Sequence, residues 1–227
     1  DALCAILVAP DPQSEAAAVA GKVAEALAVG TFPRNIGLLV RQKAGDWEDR
    51  LKTAFAARGL AFRNEDRDLG GASIQDLMTE AYSQIVLDLL TLLTRRHGGG
   101  LWSTAIGHLA TVRGVVIDDA PEVETGLAEA LDAFHQANRM PEASPATAAA
   151  VVAKIKAIED FLGLAALRAV APQYATGDLF ERVRRATAAF LAEGSAGETD
   201  WRTLLAWFRG DDQTPLLTIT KSKGLEY

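Results

Sequence analysis

The sequence contains little cysteine and histidine, and this limits the metal and redox chemistry available to it. Cys4 is the only cysteine among the 227 residues, so an intrachain disulfide bond and a cysteine zinc site are both excluded. The three histidines do not have the spacing of metal ligands. No uncharged apolar run approaches the roughly 20 residues that a membrane-spanning helix requires. We therefore expect a reduced, cytoplasmic protein with neither a metal site nor a membrane segment.

The sequence also lacks an excess of basic residues. Its 23 lysines and arginines are outnumbered by 30 aspartates and glutamates, which gives a net charge of −7. Because binding of nucleic acid by bulk electrostatics requires a positive surface, any contact with DNA or RNA must be local. Hydrophobic residues make up 49% of the chain, a share that is ordinary for a globular protein and excludes wholesale disorder.

The beginning of the chain predicts a strand followed by a helix. Residues 3–8 form a short continuous apolar run, which is typical of a strand buried on both faces and would bury Cys4. Asp11 is suited to cap the start of a helix, and Pro12 is suited to its first position. Apolar residues then recur at helical spacing until Gly30, which we expect to end the helix.

The next segment continues this alternation. Its pattern predicts a buried strand at residues 36–40, a helix that Asp46 opens and Gly59 ends, and a third strand at residues 60–63. Strands that alternate with helices are typical of a parallel sheet covered by helices.

The middle of the chain predicts successive helices and no convincing strand. Ser73 and Asp76 form a capping-box pattern at the start of the first helix, which the glycines from Gly98 onward end. Further helices are predicted near residues 101–112, 122–138, 147–170, 177–192 and 199–209.

Charge follows the same division of the chain. Residues 64–213 hold 13 basic and 22 acidic residues, a formal charge of −9, whereas residues 1–63 and 214–227 each carry +1. Within the acidic part, one predicted helix carries a small basic face that we expect to be solvated: Arg182, Arg184 and Arg185.

The last segment, from Thr214 onward, returns to the pattern of a strand, at residues 215–220, and Pro215 fits the first residue of such a strand. We therefore expect an α/β fold in which a partial parallel sheet, built from residues 1–64 and 214–227, is interrupted by a mainly helical insertion. The insertion is expected to span residues 65–213.

The final ten residues, Thr218 to Tyr227, concentrate groups that suit a phosphate-bearing ligand. Hydroxyls and lysines bind phosphate oxygens, and Gly224 allows the backbone to approach a ligand closely. The carboxylate of Glu226 is suited to accept a hydrogen bond from a sugar hydroxyl. The same composition also fits a solvated turn that follows a strand.

This segment resembles motif V of the UvrD/Rep-like superfamily 1 DNA helicases. Residues 218–227 run T-I-T-K-S-K-G-L-E-Y, and the family pattern T-I-H-K-S-K-G-L-E-F/Y differs only at Thr220. Residues 15–20, 36–41 and 51–63 are similar to the start of domain 2A in that family. There, a largely helical domain, 2B, is inserted into the RecA-like domain 2A before motif V. The resemblance implies a partial RecA-like sheet of the 2A type and a 2B-like insertion.

The resemblance also implies roles for individual residues. It implies contacts with single-stranded DNA for five basic and hydroxyl residues: Arg41, Thr218, Thr220, Lys221 and Ser222. It places Gly224 and Glu226 at the nucleotide, with Glu226 on the ribose hydroxyl. Thr220 stands where the family usually has histidine, so the stacking and charge of an imidazole are lost there. For Arg41, a solvated charge at the end of a strand remains an equal alternative.

Catalytic parts of such an enzyme are missing from the sequence. It contains no phosphate-binding loop of the form G-x-x-x-x-G-K-[ST], and it ends before the position of the family's motif VI arginine. Phosphoryl transfer requires that loop, Mg²⁺ ligands and usually an arginine finger. Since the chain also begins without methionine, we expect a fragment of an ATP-dependent DNA helicase or translocase. ATP and Mg²⁺ are then cofactors of the full-length protein, and we expect neither hydrolysis by the fragment nor a cofactor bound to it.

The expected partners follow from the same resemblance. For the full-length protein, the expected partners are single-stranded and duplex DNA. The fragment is expected to bind DNA only weakly, because its acidic insertion repels phosphates. Protein partners are expected for the 2B-like part. Two alternatives remain open. One is a helicase-like scaffold subunit of a nuclease complex that has lost its ATPase activity. The other is a protein-interaction module in which the acidic helices hold a basic partner.

Overall fold

A computed structural model describes residues 4–117, 121–197 and 199–220. The chain forms two compact units. The first, here the α/β unit, comprises Asp1–Arg67 and Gly210–Tyr227, and the second, here the helical unit, comprises Asp68–Arg209. The α/β unit is therefore assembled from both ends of the chain.

Three short parallel strands form the sheet of the α/β unit. They are β1 (Leu38–Val40), β2 (Phe62–Asn64) and β3 (Thr214–Thr218). The order across the sheet is β1-β3-β2, so the closing strand lies between the two opening strands. The expected α/β class, with a small parallel sheet built from both ends of the chain, is confirmed.

Two helices of the α/β unit pack together and cover the sheet: α1 (Pro12–Ala28) and α2 (Gly45–Ala56). The Asp11 carboxylate accepts a hydrogen bond from the Ser14 N–H at 2.8 Å, and Pro12 occupies the first helical position, as predicted. Gly30 follows the helix with φ +92°, a conformation that glycine adopts without steric cost.

The apolar core of the α/β unit lies between these helices and the sheet. Ala20 and Val23 of α1, Phe55 of α2 and Leu216 of β3 are all buried within it. Because Leu216 is on the central strand, it has a neighbouring strand on either side and the helices above it. One face of the sheet is thereby fixed against α1 and α2.

The strand predicted at residues 3–8 is wrong. The described part of this run, from residue 4 onward, forms no strand, and Ile6 and Val8 are 91% and 88% exposed. Cys4, expected to be buried, is exposed. The run has the composition of a buried strand, but strand residues are stabilised by their cross-strand and packing neighbours. Among the described residues, this segment pairs with no strand.

The helical unit contains eight α-helices within its described residues: α3 (Ile74–Thr79), α4 (Ala81–Thr94), α5 (Gly100–Arg113), α6 (Pro121–Asn138), α7 (Ala148–Leu162), α8 (Leu164–Ala169), α9 (Leu179–Gly194) and α10 (Trp201–Arg209). Helix α4 is buried on nearly all sides and contacts α5, α6, α7, α9 and α10, so it is the centre of the unit. No described helix combines the length and apolarity that crossing a membrane requires.

Two of the predicted helices are interrupted. The capping box of Ser73 and Asp76 is present, but the helix that it opens ends before Glu80, whose backbone is extended. The helix predicted at residues 147–170 is divided at Gly163, which has φ +83° and separates α7 from α8. In both places the helical pattern of apolar residues continues across a break in the backbone.

Candidate functional site

The ends of the three strands converge on one edge of the sheet. Strands β1, β2 and β3 end at Val40, Asn64 and Thr218, and Val40 lies in register beside Thr218. We use the name carboxyl edge for the ends of the three strands together with the residues that follow them. The following residues are 41–44, 65–67 and 219–220. In open parallel sheets, ligands bind outside this edge because the loops that follow neighbouring strands meet there.

Three of the predicted site residues lie at the carboxyl edge. Arg41 is exposed directly after β1, Thr218 is half-buried at the end of β3, and Thr220 is exposed in the turn that follows. The Ile219 N–H donates to the Val40 carbonyl oxygen at 2.9 Å, which holds the end of β3 against the end of β1. The structure therefore brings Arg41, Thr218 and Thr220 to one edge.

The other four predicted site residues, Lys221, Ser222, Gly224 and Glu226, lie outside the described residues. In the described ranges, no group of three or more side chains is arranged to hold a metal ion. Contacts with the nucleotide remain expectations from the sequence.

A chain of hydrogen bonds connects α2 to the ends of β2 and β3. The Asn64 side-chain Nδ2 donates to the Glu48 carboxylate at 3.0 Å, and Asn64 Oδ1 accepts from the Asp66 N–H at 3.1 Å. Asp66 Oδ2 in turn accepts from the Thr218 N–H at 3.2 Å. We call this arrangement the Glu48–Thr218 chain. It positions the backbone of the motif V-like segment where that segment leaves the sheet.

Sequence reasoning did not identify Glu48, Asn64 or Asp66. The signal that points to Asn64 and Asp66 is the run of polar residues, Asn64 to Asp66, directly after a predicted strand, whereas no such signal points to Glu48. The second oxygen of Asp66, Oδ1, is buried and accepts no hydrogen bond within the part of the chain that the structure describes. A buried acceptor without a donor is costly, so Oδ1 would be stabilised by a donor group that reaches it.

A buried ion cluster supports the end of β2. Glu65 is 2% exposed, and one of its oxygens accepts from both Arg34 and Arg63, the latter at 2.8 Å. Burial lowers the pKa of the Arg63 guanidinium below its usual value, and the neighbouring Glu65 charge offsets part of this effect. At Gly210, a Cβ atom would lie 2.6 Å from the Arg63 guanidinium carbon, so a side chain there would displace the guanidinium from this cluster.

The loop that follows β1 contains an unusual backbone conformation. Lys43 has φ +54°, and it is the one non-glycine residue with positive φ in the described ranges. Such a conformation costs on the order of 1 kcal/mol for a residue with a side chain, and it occurs preferentially at functional sites and tight turns. Lys43 is exposed and only two residues from Arg41, so two basic side chains lie on this loop.

The carboxyl edge thus combines positively charged and hydroxyl groups with a carboxylate oxygen that accepts hydrogen bonds. Arg41 and Lys43 are exposed cations, Thr220 has an exposed hydroxyl, and Asp66 has a buried acceptor oxygen. Cations and hydroxyls bind phosphate oxygens, whereas a carboxylate accepts from hydroxyl or amide groups. A ligand with phosphates and hydrogen-bond donors, such as a nucleotide chain, has the matching chemistry.

Comparison with protein-family models and with curated proteins gives no relative from which a function can be transferred. The chain matches no protein-family model and no curated protein. Its function is therefore inferred from its own residues and their placement.

Proposed function

We propose that this chain is part of an ATP-dependent DNA helicase or translocase of the UvrD/Rep-like superfamily 1 type. In this proposal, the α/β unit corresponds to part of the RecA-like domain 2A, and the helical unit corresponds to the 2B insertion. The observation that carries the proposal is the position of β3. The strand leading into the motif V-like segment lies between β1 and β2, so the segment leaves the sheet at the carboxyl edge.

The carboxyl edge supplies contacts of the kind that single-stranded DNA requires. Most protein contacts with DNA go to the phosphate backbone, through guanidinium, ammonium, hydroxyl and backbone N–H groups. Arg41 offers the first of these and Thr220 offers a hydroxyl, and both are exposed. The Thr220 hydroxyl donates to a phosphate oxygen but does not stack on a base, so the contacts of this segment are with the backbone.

The full-length protein adds what this chain lacks. When bound there, ATP and Mg²⁺ supply the phosphoryl-transfer chemistry that drives movement along DNA. The residues of this chain hold the strand: Arg41 neutralises a phosphate, Thr218 and Thr220 fix the backbone position, and Asp66 orients the Thr218 amide. Gly224 and Glu226 are assigned to the nucleotide side by the sequence resemblance alone.

We expect Arg41→Gln to weaken the binding of single-stranded DNA. A fluorescently labelled oligothymidylate would be titrated with the 227-residue chain at several salt concentrations, with anisotropy as the measurement. We expect the wild-type chain to bind weakly because it carries a net charge of −7. The slope of log K against log salt concentration reports the number of phosphates that are neutralised, so loss of one contact with a single strand lowers its magnitude by about 0.7.

Arg58→Gln is the matched control. Arg58 is an exposed arginine of the same unit, but it follows α2 and precedes β2, so it lies toward the opposite edge of the sheet. The control variant should bind as the wild-type chain does. Equal slopes for the Arg41 and Arg58 variants, or tight binding that persists at high salt, would contradict the DNA assignment of this edge.

A further inference from the structure

An open groove lies on the helical unit, between α7, α8 and α9. Its volume is about 410 Å³, which lies within the range of small-molecule sites. The walls are mainly apolar, and the side chains that form them are Val152, Ile155, Leu164 and Ala188. We call this feature the α7–α9 groove.

The apolar walls of the groove are partly exposed to solvent. Val152 is 59% exposed and Leu164 is 43% exposed, whereas Ile155 between them is buried. On α7, residues 152, 155 and 159 are spaced three and four positions apart, so they share one face of the helix. The helical unit therefore leaves an apolar face with a buried floor open beside α9.

Four of the five charges around the groove neutralise one another. Glu159 accepts two hydrogen bonds from Arg184, at 2.5 and 2.8 Å, and one from the Tyr82 hydroxyl at 2.7 Å. Lys156 and Asp160 form an exposed ion pair at 2.5 Å. Each of these two pairs is therefore formally neutral.

Arg185 is the remaining charge. Its Nε donates to the Glu181 carbonyl oxygen at 3.3 Å, but its guanidinium pairs with no carboxylate in the described part of the chain. The mouth of the groove thus carries one unneutralised positive charge. This charge belongs to the basic face that the sequence predicts to be solvated, and its two arginine neighbours are both paired with acids.

We propose that the α7–α9 groove binds a small apolar monocarboxylate. The apolar body of such a ligand packs against Val152, Ile155 and Leu164, and its carboxylate accepts charge-assisted hydrogen bonds from the Arg185 guanidinium. A polyanion is disfavoured because residues 64–213 carry a formal charge of −9, which repels further negative charge near the groove. One cation beside an apolar wall matches one carboxylate on an apolar body.

The test uses 1-naphthylacetate and its neutral amide as matched probes. Isothermal titration and ¹H–¹⁵N correlation spectra of the 227-residue chain would measure affinity and map the perturbed residues. We expect the acid to bind about tenfold more tightly than the amide, since the amide carbonyl can still accept from the guanidinium but lacks the negative charge of the carboxylate. The perturbed amides should lie on α7, α8 and α9.

Two variants locate the contact. Arg185→Gln should weaken binding of the acid about tenfold and leave binding of the amide unchanged. Arg202→Gln removes an exposed arginine of the same unit that does not line the groove, and it should change neither affinity. The proposal is overturned if neither probe binds, or if the acid and the amide bind with equal affinity. It is also overturned if Arg185→Gln leaves the affinity for the acid unchanged, or if the perturbed amides lie only on other helices. None of these results depends on the DNA proposal.

Discussion

At the scale of single residues, Glu159 is a buried carboxylate that accepts hydrogen bonds from Arg184 and Tyr82. Burial by itself raises the pKa of its carboxyl group, but the hydrogen bonds from Arg184 and Tyr82 outweigh burial and bring the pKa below the usual value of 4.5. Burial, followed by the hydrogen bond to Glu159, raises the pKa of the Tyr82 hydroxyl, which therefore stays protonated and donates. Glu159 thus joins α4, α7 and α9 as a charged acceptor.

We expect Glu159→Gln to destabilise the chain by about 1–3 kcal/mol at neutral pH, because it removes the charged acceptor of the Arg184 and Tyr82 hydrogen bonds, while Arg184, which is 35% exposed, keeps Glu181 as a second partner. The folded-state pKa of Glu159 is lowered, so its contribution is full above the unfolded-state value of about 4.5 and is lost as pH falls through the folded-state value. Urea unfolding of wild type and variant, at neutral pH and at a pH of about 3, measures the difference.

The control for this experiment is Asp160→Asn, which breaks the exposed pair with Lys156. Both side chains of that pair are more than half exposed, so we expect a loss below about 1 kcal/mol. Glu159 is not a buried charged acceptor if Glu159→Gln lowers the free energy of unfolding by no more than the control substitution does. The same conclusion follows if the loss in free energy of unfolding is as large at acid pH as at neutral pH.

At the scale of elements, the helix starts were predictable and two of the breaks were not. The start of α1 depends on Asp11 and Pro12, and the capping box of α3 depends on Ser73 and Asp76, which are local signals. The break at Glu80 has no such signal. There, the Glu80 carboxylate accepts from the hydroxyl of Tyr174, a residue 94 positions away, at 2.5 Å. A contact over that separation is not visible in a local pattern.

The segment before α1 gives the sharpest test at this scale, because sequence pattern and structure disagree there. We expect Val8→Ala to change the free energy of unfolding by less than about 0.5 kcal/mol, since Val8 is 88% exposed. Val23→Ala removes the same two methyl groups from a residue of α1 that is 3% exposed. We expect it to lower the free energy of unfolding by about 2 kcal/mol. Denaturant unfolding of both variants measures the difference. Equal costs would show that the apolar run at residues 3–8 is buried, as its composition predicts.

At the scale of the whole molecule, the assembly of the sheet from both ends was predictable, but the details of the carboxyl edge were not. The strand patterns at residues 36–40, 60–63 and 215–220 and the acidity between them indicated an interrupted α/β fold. Arg41 and Thr220 could be named as candidate site residues only through the resemblance of their segments to the helicase motifs. The Glu48–Thr218 chain could not be predicted, because it requires the strand order β1-β3-β2, which no local pattern specifies.

The position of β3 between β1 and β2 can be measured by nuclear Overhauser effects between backbone protons of the isotopically labelled chain. We expect cross-peaks between residues 38–40 and 216–218 and between residues 62–64 and 214–216, in parallel register, with no direct cross-peaks between β1 and β2. Direct cross-peaks between residues 38–40 and 62–64, with residues 214–218 paired to neither strand, would contradict both the carboxyl edge and the function proposed for it.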